Sequence, residues 1–556
     1  MFFREKKATG RTYLQIVENW REGGRSRQRV VATLGRLDEL EATGRLPALL
    51  ESGARFSEAV LVLNAHRRGE GVEAGSVRVG PTMVFERLWE ETGCGPVVRS
   101  LARGRRFIFD VERAVFLTVL HRLVAPGSDR AADKWRRGYR IRGAEEIELQ
   151  HLYRAMGWLG ERLPRVEQRG RTPFAPRCTK DEVEEALFAH RRDLFTSLDI
   201  VFFDTTSIYF EGKGGKTLGR RGKSKDHRPD LVQMVVGLVL DQQGRPVCCE
   251  LWPGNTTDVK TLVPIVERLR RRFGVGRVCV VADRGMISQE TIGELELRQW
   301  AYILGARMRS SAEVRDQVLS DSEEYEQVTP PRKTKKDPSP LEVKEVMVGD
   351  HRYVVCFNEE QARKDAADRE AIIAGLAKKL EQGGKALVGN KGFRRFLAVP
   401  GNAFQIDLAK VVAEARYDGM WVLRTNTDWK AAEVALRYKQ LWMVEDLFRQ
   451  SKSLLDTRPI WHKRDDTIRG HVFCTFLALT LRHELQSRLE ARGHDEVEWA
   501  DVIRDLDLLE ETDIERQGKR FIVRTATKGV AGIVCQAAGV ALPPTVRRAE
   551  EVTTKR

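Results

Sequence analysis

The chain has 556 residues, which is longer than one ordinary domain and long enough to bury a substantial core. Its 95 Lys and Arg residues outnumber its 80 Asp and Glu residues, and the formal net charge of +15 favours a polyanionic partner. The eight cysteines form no Cys-x-x-Cys pair, which argues against structural zinc, and no uncharged run reaches the about 18 residues of a membrane span. We therefore expect a cytoplasmic protein without a membrane partner.

Two strand-like runs stand near the start of the chain. They cover residues 13–20 and 28–34 and flank Glu22-Gly23-Gly24, which is the pattern of a β-hairpin. The arginines of this segment make it a candidate DNA-binding arm, while a solvated hairpin without a ligand fits the same pattern. From about residue 80 to 195 the pattern is helical, with apolar stripes such as Val111, Val115 and Leu123.

Two later apolar runs each end on an aspartate. Residues 200–204 read Ile-Val-Phe-Phe-Asp, and residues 278–283 read Val-Cys-Val-Val-Ala-Asp. Runs that are apolar on both faces are typical of central strands in a covered sheet. Because open α/β sheets place their sites at the carboxyl ends of strands, we expect Asp204 and Asp283 to lie at a site.

The segments around these strands predict the rest of a mixed sheet. Residues 231–240 and 247–252 flank a hairpin loop at 241–244, a helix carries apolar residues from Leu262 to Phe273 on one face, and a further strand covers 300–305. An antiparallel hairpin followed by a helix and a strand is the order of an RNase H-like sheet. The next interval is too long for a simple connection. It holds a basic, proline-containing linker at 330–336, two strands around the turn Gly349-Asp350, and a charged helix at 359–382.

One helix is predicted from Ala435 to Leu455. Its apolar residues recur at three- and four-residue steps, and Glu445 falls on the same face, so we expect its carboxylate to point into the protein beside a cation. Three carboxylates on such elements can hold two divalent metal ions over a phosphodiester. Each acid also has an ordinary explanation, as a turn residue after a strand or as the partner of a buried arginine.

The residues around these acids resemble a known family. Tyr438, Glu445 and Lys452 have the spacing of the signature Y-x2-R-x3-E-x6-K of IS4-type insertion-sequence transposases, with Leu441 where the signature has Arg. The flanks at 203–206 and 283–285 agree, and residues 11–15 and 29–35 are similar to the IS1634 branch. A phosphate contact expected from position 441 would have to come from Arg437, Lys439 or Arg449, or is absent.

The resemblance implies an α/β fold, with an RNase H-like catalytic core of mixed sheet and helices that is interrupted by a β-rich insertion and preceded by an N-terminal hairpin and helical DNA-binding regions. It implies a DDE transposase that binds terminal inverted repeats and catalyses DNA strand cleavage and strand transfer by cut-and-paste. Asp204, Asp283 and Glu445 would be the catalytic residues and would hold two Mg²⁺ ions per site, with Mn²⁺ as a substitute.

Contacts with DNA are implied in the same way. Trp421 would stack on a flipped base, although an ordinary core tryptophan fits its strand as well. Tyr438 and Lys452 would bracket a phosphate, although a core tyrosine fits Tyr438 equally well. His462 has no metal-ligand spacing in the sequence. The residues expected to contact DNA are Tyr438, Lys452, Trp421, Arg284, Arg449, Arg458 and His462.

These expectations give a domain plan and a set of partners. The plan is a hairpin arm at 1–80, a helical region at 81–195, the catalytic core at 196–310 and 406–490, an insertion at 311–405, and a C-terminal tail at 491–556 with candidate dimer contacts. The helical region is a candidate for binding DNA ends, although helical packing alone would produce the same apolar stripes. The partners are double-stranded DNA, as element ends and as target, and a second copy of the chain, at the nucleoid. Two other functions stay open: an inactive DNA-binding descendant of a transposase, which Leu441 favours, and an RNase H-like structure-specific nuclease.

Overall fold

The computed structural model describes residues 2–8, 10–22, 25–49, 74–168, 175–191, 199–274, 278–330, 339–381, 395–398, 404–516 and 519–548. The chain divides into two compact units. One comprises Met1–Ser76, Thr512–Arg524 and Pro544–Arg556, and the other comprises Val77–Glu511 and Thr525–Pro543. The predicted turn residues Gly23 and Gly24 and most of the linker predicted at 330–336 lie outside the described residues.

The first unit begins with a three-stranded antiparallel sheet of order β1-β2-β3. Its strands are Phe2–Ala8 (β1), Arg11–Glu22 (β2) and Arg25–Arg36 (β3), and the helix Leu37–Ala42 (α1) follows. The pairing of β2 with β3 confirms the predicted hairpin. The sequence pattern does not predict β1, because its residues are exposed or half-buried and show no apolar alternation.

Helices dominate the chain between residues 80 and 191, as predicted. After the strand Ala74–Arg78 (β4), they are Gly80–Glu91 (α2), Cys94–Ala102 (α3), Val111–Val124 (α4), Asp129–Trp135 (α5), Leu149–Leu159 (α6) and Thr179–Arg191 (α7). Phe116 and Leu120 of α4 share one buried cluster with Phe202 and Phe473 of later elements. The helical region is therefore packed into the same core as the sheet.

A nine-stranded sheet forms the centre of the second unit. Its middle strands are Ile200–Tyr209 (β5), Gln233–Leu240 (β6), Pro246–Pro253 (β7), Cys279–Ala282 (β8) and Ala301–Gly305 (β9). They lie in the order β9-β8-β5-β6-β7, with β5, β8 and β9 parallel and β6 antiparallel to both of its neighbours. The helices Leu262–Phe273 (α8) and Gln289–Leu297 (α9) connect β7 to β8 and β8 to β9. This arrangement confirms the predicted RNase H-like core.

The strands predicted inside the insertion continue this same sheet. They are Glu326–Val328 (β10), Leu341–Val348 (β11) and His351–Phe357 (β12). The hairpin of β11 and β12 has the predicted turn, with Gly349 at φ 58°. Within the predicted insertion the structure also describes the helix Glu359–Glu381 (α10) and the strand pair Leu397–Ala398 (β13) and Gln405–Ile406 (β14). The helix Leu408–Ala415 (α11) follows after its predicted end at residue 405. Sequence patterns show strands but not their distant partners, so this continuity was not predicted.

The strand Met420–Thr425 (β15) joins β12 to β9 and completes the sheet. The helix predicted over 435–455 is wrong as a single helix. It is two helices, Ala431–Lys439 (α12) and Trp442–Ser453 (α13), separated by a turn at Gln440 and Leu441. The long helix Asp465–Glu490 (α14) follows and packs against α4 and α6.

The end of the chain is more ordered than a tail. It contains the elements Trp499–Asp507 (α15), Glu510–Arg516 (β16), Lys519–Arg524 (β17), Ala531–Ala537 (α16) and Val546–Arg548 (β18). Ala531 and Val534 of α16 are buried in the main hydrophobic cluster. Among the described residues, no helix is both long and apolar enough to cross a membrane.

Candidate active site

Asp204 and Asp283 lie side by side on neighbouring parallel strands. Phe203 of β5 pairs with Ala282 of β8, and each aspartate is the next residue of its chain. The prediction that Asp204 ends its strand is wrong, because β5 continues to Tyr209 and its residues after Asp204 pair with β6. Asp283 does follow directly after β8, as predicted.

The carboxylate of Asp204 is largely buried and lies near two other acidic side chains. Its side chain is only 19% exposed, and burial raises its pKa to about 6, against the opposing effect of the Lys225 charge. The nearby charges of Asp283 and Asp258 also raise this pKa. The backbone N–H of Thr205 donates to Asp204 Oδ1 at 2.6 Å and fixes the carboxylate. A cation beside Asp204 would relieve both the burial and the repulsion.

Asp258 is a fourth carboxylate at this place, and the sequence analysis missed it. It lies between β7 and α8, and its Oδ1 accepts a hydrogen bond from Thr205 Oγ1 at 2.6 Å. Lys225 Nζ lies 3.3 Å from Asp258 Oδ2 and 4.0 Å from Asp204 Oδ1. Asp258 lies 54 positions after Asp204 and in no recognisable sequence motif. Its place beside Asp204 is therefore visible only in the folded structure.

Tyr438 connects α12 to the second aspartate. Its hydroxyl donates to Asp283 Oδ1 at 3.0 Å. Burial and the negative charge of Asp283 raise the pKa of Tyr438 well above its usual range, so it remains a protonated donor. Gly305, at the end of β9, makes room for this contact, because a Cβ built there would lie 2.4 Å from the Tyr438 hydroxyl oxygen.

Glu445 lies on the exposed face of α13, and the prediction that it points into the protein is wrong. The buried residues of α13 include Val444, Leu447 and Phe448. The turn at Gln440 and Leu441 changes the phase of the helix, so the predicted apolar stripe does not continue through Glu445. Partial burial and the negative charge of Asp283 both raise the pKa of Glu445.

Lys452 and Arg458 meet inside the protein at a buried acid. Both contact Asp226 Oδ1, with Lys452 Nζ at 2.8 Å, and the Asp226 side chain is 5% exposed. Burial lowers the pKa of Lys452 despite the hydrogen bond with Asp226. Arg449 differs from both, because its side chain is 74% exposed on α13 and contacts Asp446. Arg284 is also exposed, just after Asp283.

Trp421 is half-buried in β15, where it pairs with Cys356. Lys439 Nζ lies 4.0 Å from the centre of its indole ring, a cation–π contact that covers one face. A base could stack only on the other face. The core interpretation that the sequence left open therefore fits its packing.

His462 belongs to a second polar cluster, with Asp129 and His471. These three residues form the one group among the described residues whose ligand atoms lie close enough to hold a metal ion, within 4.8 Å of one another. However, Arg122 contacts His471 Nδ1 at 2.9 Å and so occupies the nitrogen that a metal would need. Burial, with the Arg122 charge, lowers the pKa of His471 well below its usual range. Arg122, His462 and His471 form a hydrogen-bond network in this cluster.

Two models of known protein families match this chain. A family model described as the transposase DDE domain matches residues 196–481, more than half of the chain. The chain belongs to the DDE transposases. A second family model, the N-terminal domain of IS1634 family transposases, matches residues 3–65 and confirms the resemblance to that branch.

The transposase is therefore an insertion-sequence enzyme of the type that cuts nucleic acid. A DDE transposase domain depends on divalent metal ions and acts on DNA. A solved structure, described as the cryo-EM structure of piggyBac transposase synaptic complex with hairpin DNA, aligns with 77% of this chain and 79% of that chain, at 11% identity and a TM-score of 0.36. No curated protein matches the transposase.

Proposed function

We propose that this transposase binds the terminal inverted repeats of its own element and moves that element by cut-and-paste, with Asp204, Asp283 and Glu445 as the catalytic residues. The observation that carries the proposal is the pairing of Phe203 with Ala282, because it makes the two strand aspartates neighbours. The charge of Asp283 then reaches both Asp204 and Glu445. These charge interactions support the proposal that the three acids, which come from distant parts of the chain, form one site.

The same acids fit a pair of Mg²⁺ ions. Magnesium takes oxygen ligands and is held through one or two carboxylates together with waters and substrate phosphate, which suits a site built from a few acids. Asp204, Asp283 and Glu445 would hold the ions, and Mn²⁺ would substitute. Bound there, two ions supply Lewis-acid activation of the attacking oxygen and charge stabilisation of the leaving oxygen.

The protein's own residues would orient these acids and the DNA. The Thr205 N–H fixes Asp204, and the Tyr438 hydroxyl fixes Asp283. Cleavage forms a bond between water oxygen and phosphorus and breaks the bond from phosphorus to the 3′ oxygen, which leaves a 3′-hydroxyl. Strand transfer then forms a bond from that hydroxyl to a target phosphorus and breaks a target phosphodiester. Neither step needs a covalent bond to the protein.

Binding of DNA is proposed for the N-terminal sheet and for the helical region that follows. The net charge of +15 supports contact with phosphates. Arg284 and Arg449 are exposed near the acids and are the DNA contacts that the described structure favours, while Tyr438, Lys452, Trp421, Arg458 and His462 are held by protein groups. Both ends must be held together, so we propose a homodimer on DNA, with the C-terminal segment as the candidate contact. Such binding would place the protein at the nucleoid.

The experiment that tests this proposal uses purified full-length protein, Mg²⁺ and a labelled duplex that carries the inverted repeat flanking its own gene. Asp204→Ala, Asp283→Ala and Glu445→Ala should each abolish strand cleavage and leave binding to the duplex measurable. Asp446→Ala is the matched control, because Asp446 is the neighbouring acid on α13 and contacts Arg449 and Gln450 instead. Retained cleavage in one of the three variants would overturn the assignment of that residue.

The DNA products of this reaction distinguish a transposase from the two alternative functions. Joining of the cut 3′ end to a target plasmid supports a transposase, while cleavage that never leads to joining would point to a structure-specific nuclease. Tight binding without cleavage in Mg²⁺ and in Mn²⁺ would point to an inactive DNA-binding descendant.

A further inference from the structure

We propose that Lys225 is a further catalytic residue, whose ammonium group contacts a non-bridging oxygen of the phosphate under attack, and that Asp258 holds it in place. The inference deepens the proposed function and rests on it. It concerns one member of the basic segment 213–228, which contains seven Lys and Arg residues and a single acid among them.

The Lys225 ammonium is held by groups that line the acidic site. Its Nζ lies 2.6 Å from the Thr205 carbonyl oxygen, 2.9 Å from Thr205 Oγ1 and 3.3 Å from Asp258 Oδ2. Because Thr205 Oγ1 donates its own hydrogen to Asp258, it must accept from Lys225. These contacts leave Lys225 4.0 Å from Asp204 Oδ1, too far for a hydrogen bond and close enough for a strong charge interaction.

The backbone on both sides of this ammonium is also fixed. The Lys225 N–H donates to Ser207 Oγ of β5 at 2.8 Å. The next residue, Asp226, is the buried acid that Lys452 and Arg458 contact, so the α13 region holds the loop from the other side. Lys225 therefore sits at a position set by two core elements, whereas the nearby Arg228 is exposed and pairs with Asp230.

A fixed cation at this point suits a phosphate better than a purely structural role. The Lys225 side chain is still 34% exposed, so a phosphate over Asp204 can reach it. Its contact with Asp258 is the longest of the three, and that N–H can turn toward a phosphate oxygen. In the transition state of cleavage, negative charge builds up on the non-bridging oxygens, and a preorganised donor stabilises it most. Lys225 forms no covalent bond in this step.

The test replaces the ammonium and then restores it. Lys225→Cys should lower the single-turnover rate of strand cleavage by about 100-fold at saturating DNA and Mg²⁺, the loss typical of one transition-state donor, and should change the affinity for DNA little. Alkylation with 2-bromoethylamine converts the new cysteine into an amine of nearly the same length and should restore most of the rate. All eight native cysteines are buried, so the new one reacts selectively.

Two comparisons separate a phosphate contact from a structural role. Lys223→Cys removes an exposed positive charge from the same segment and should leave the rate unchanged before and after alkylation. A phosphorothioate at the scissile phosphate, in the stereoisomer whose sulfur faces Lys225, should slow the wild-type protein severalfold and should slow Lys225→Ala no further. Loss of folding alone would not produce this pattern.

The failures are distinguishable. If the wild-type protein cuts and Asp204→Ala does not, but Lys225→Cys cuts at the wild-type rate or is not restored by alkylation, the inference about Lys225 is overturned and the proposed function stands. If the wild-type protein cuts nothing in Mg²⁺ or Mn²⁺, the proposed function fails and this inference fails with it.

Discussion

The hydroxyl group of Tyr438 donates a hydrogen bond to Asp283, with 3.0 Å between the two oxygens. This contact joins α12, which precedes the break in the glutamate-bearing segment, to the end of strand β8. Partners of this kind orient metal ligands, and their loss typically costs about 10- to 100-fold in metal affinity or activity. The contact therefore gives Tyr438, which the sequence suggested as a DNA contact, a role in positioning an acid.

Tyr438→Phe should raise the Mg²⁺ concentration for half-maximal cleavage about 10-fold, because Asp283 loses the donor that fixes its carboxylate. The measurement is the cleavage rate against Mg²⁺ concentration, together with binding of the inverted-repeat duplex. Tyr353→Phe is the control, since its hydroxyl donates to Glu313 at 3.0 Å. A variant with weaker DNA binding and an unchanged Mg²⁺ dependence would support the phosphate-contact role instead.

Gly305→Ala should have a larger effect on the same property. The new Cβ would lie 2.4 Å from the Tyr438 hydroxyl oxygen and 3.1 Å from the Arg284 backbone nitrogen, so the tyrosine must move away from Asp283. We expect a loss of stability of about 1–3 kcal/mol, as for overpacking, and a raised Mg²⁺ requirement. Gly293→Ala, in α9 with open space around its Cβ, is the control and should stabilise by about 0.5–1 kcal/mol. Equal effects from both substitutions would contradict the contact.

The sequence predicts those parts of the site that depend on local patterns. The runs before Asp204 and Asp283 are apolar on both faces, and such runs become neighbouring central strands. The hairpin at Gly349 and the helix α8 follow from turn residues and periodicity in the same way. In each case the information lies within about ten residues of chain.

The parts that were missed depend on distant contacts. Lys225 and Asp258 come together across 33 positions, and neither stands in a periodic pattern. The break at Leu441 is equally invisible, because the spacing from Tyr438 to Lys452 continues through it as if the helix were whole. The apolar periodicity of a sequence predicts which face of a helix is buried. It does not predict where a helix is interrupted by its packing against distant elements such as α14 and the sheet.

Lys452 and Arg449 should respond differently to substitution. Lys452→Ala removes a cation that is 12% exposed and leaves Asp226 with Arg458 alone, so we expect a loss of stability of about 2 kcal/mol or more. Arg449→Ala removes an exposed charge near Glu445 and should reduce the slope of log affinity against log salt by about one unit. Calorimetry and salt titrations of duplex binding measure the two effects. A reduced salt slope in Lys452→Ala, at unchanged stability, would restore its predicted contact with DNA.

Leu441→Arg brings the chain closer to the transposase signature and should still be harmful. Leu441 is 5% exposed and belongs to the main hydrophobic cluster, so an arginine there loses apolar burial and brings an unpaired charge into the core. We expect a loss of roughly 3 kcal/mol in the free energy of unfolding. Leu441→Met is the volume-matched control and should cost less than about 1.5 kcal/mol. A stable Leu441→Arg protein that cleaves faster than the wild type would show that the signature arginine can still reach the phosphate.

We expect the buried histidines to make the transposase less stable at acid pH. Burial of His121, aided by the positive charge of Arg122, lowers its pKa to about 4, below the usual value near 6.5. As the pH falls, the imidazole of His121 binds a proton more readily in the unfolded chain than in the folded protein. The free energy of unfolding is therefore unaffected by His121 above pH about 6.5 and decreases as the pH falls from there toward 4. The shift corresponds to about 3 kcal/mol at most. His121→Leu should therefore lose less melting temperature than the wild type between pH 7 and pH 4.5. The same steep loss in His121→Leu would mean that other groups, His471 among them, cause the acid sensitivity.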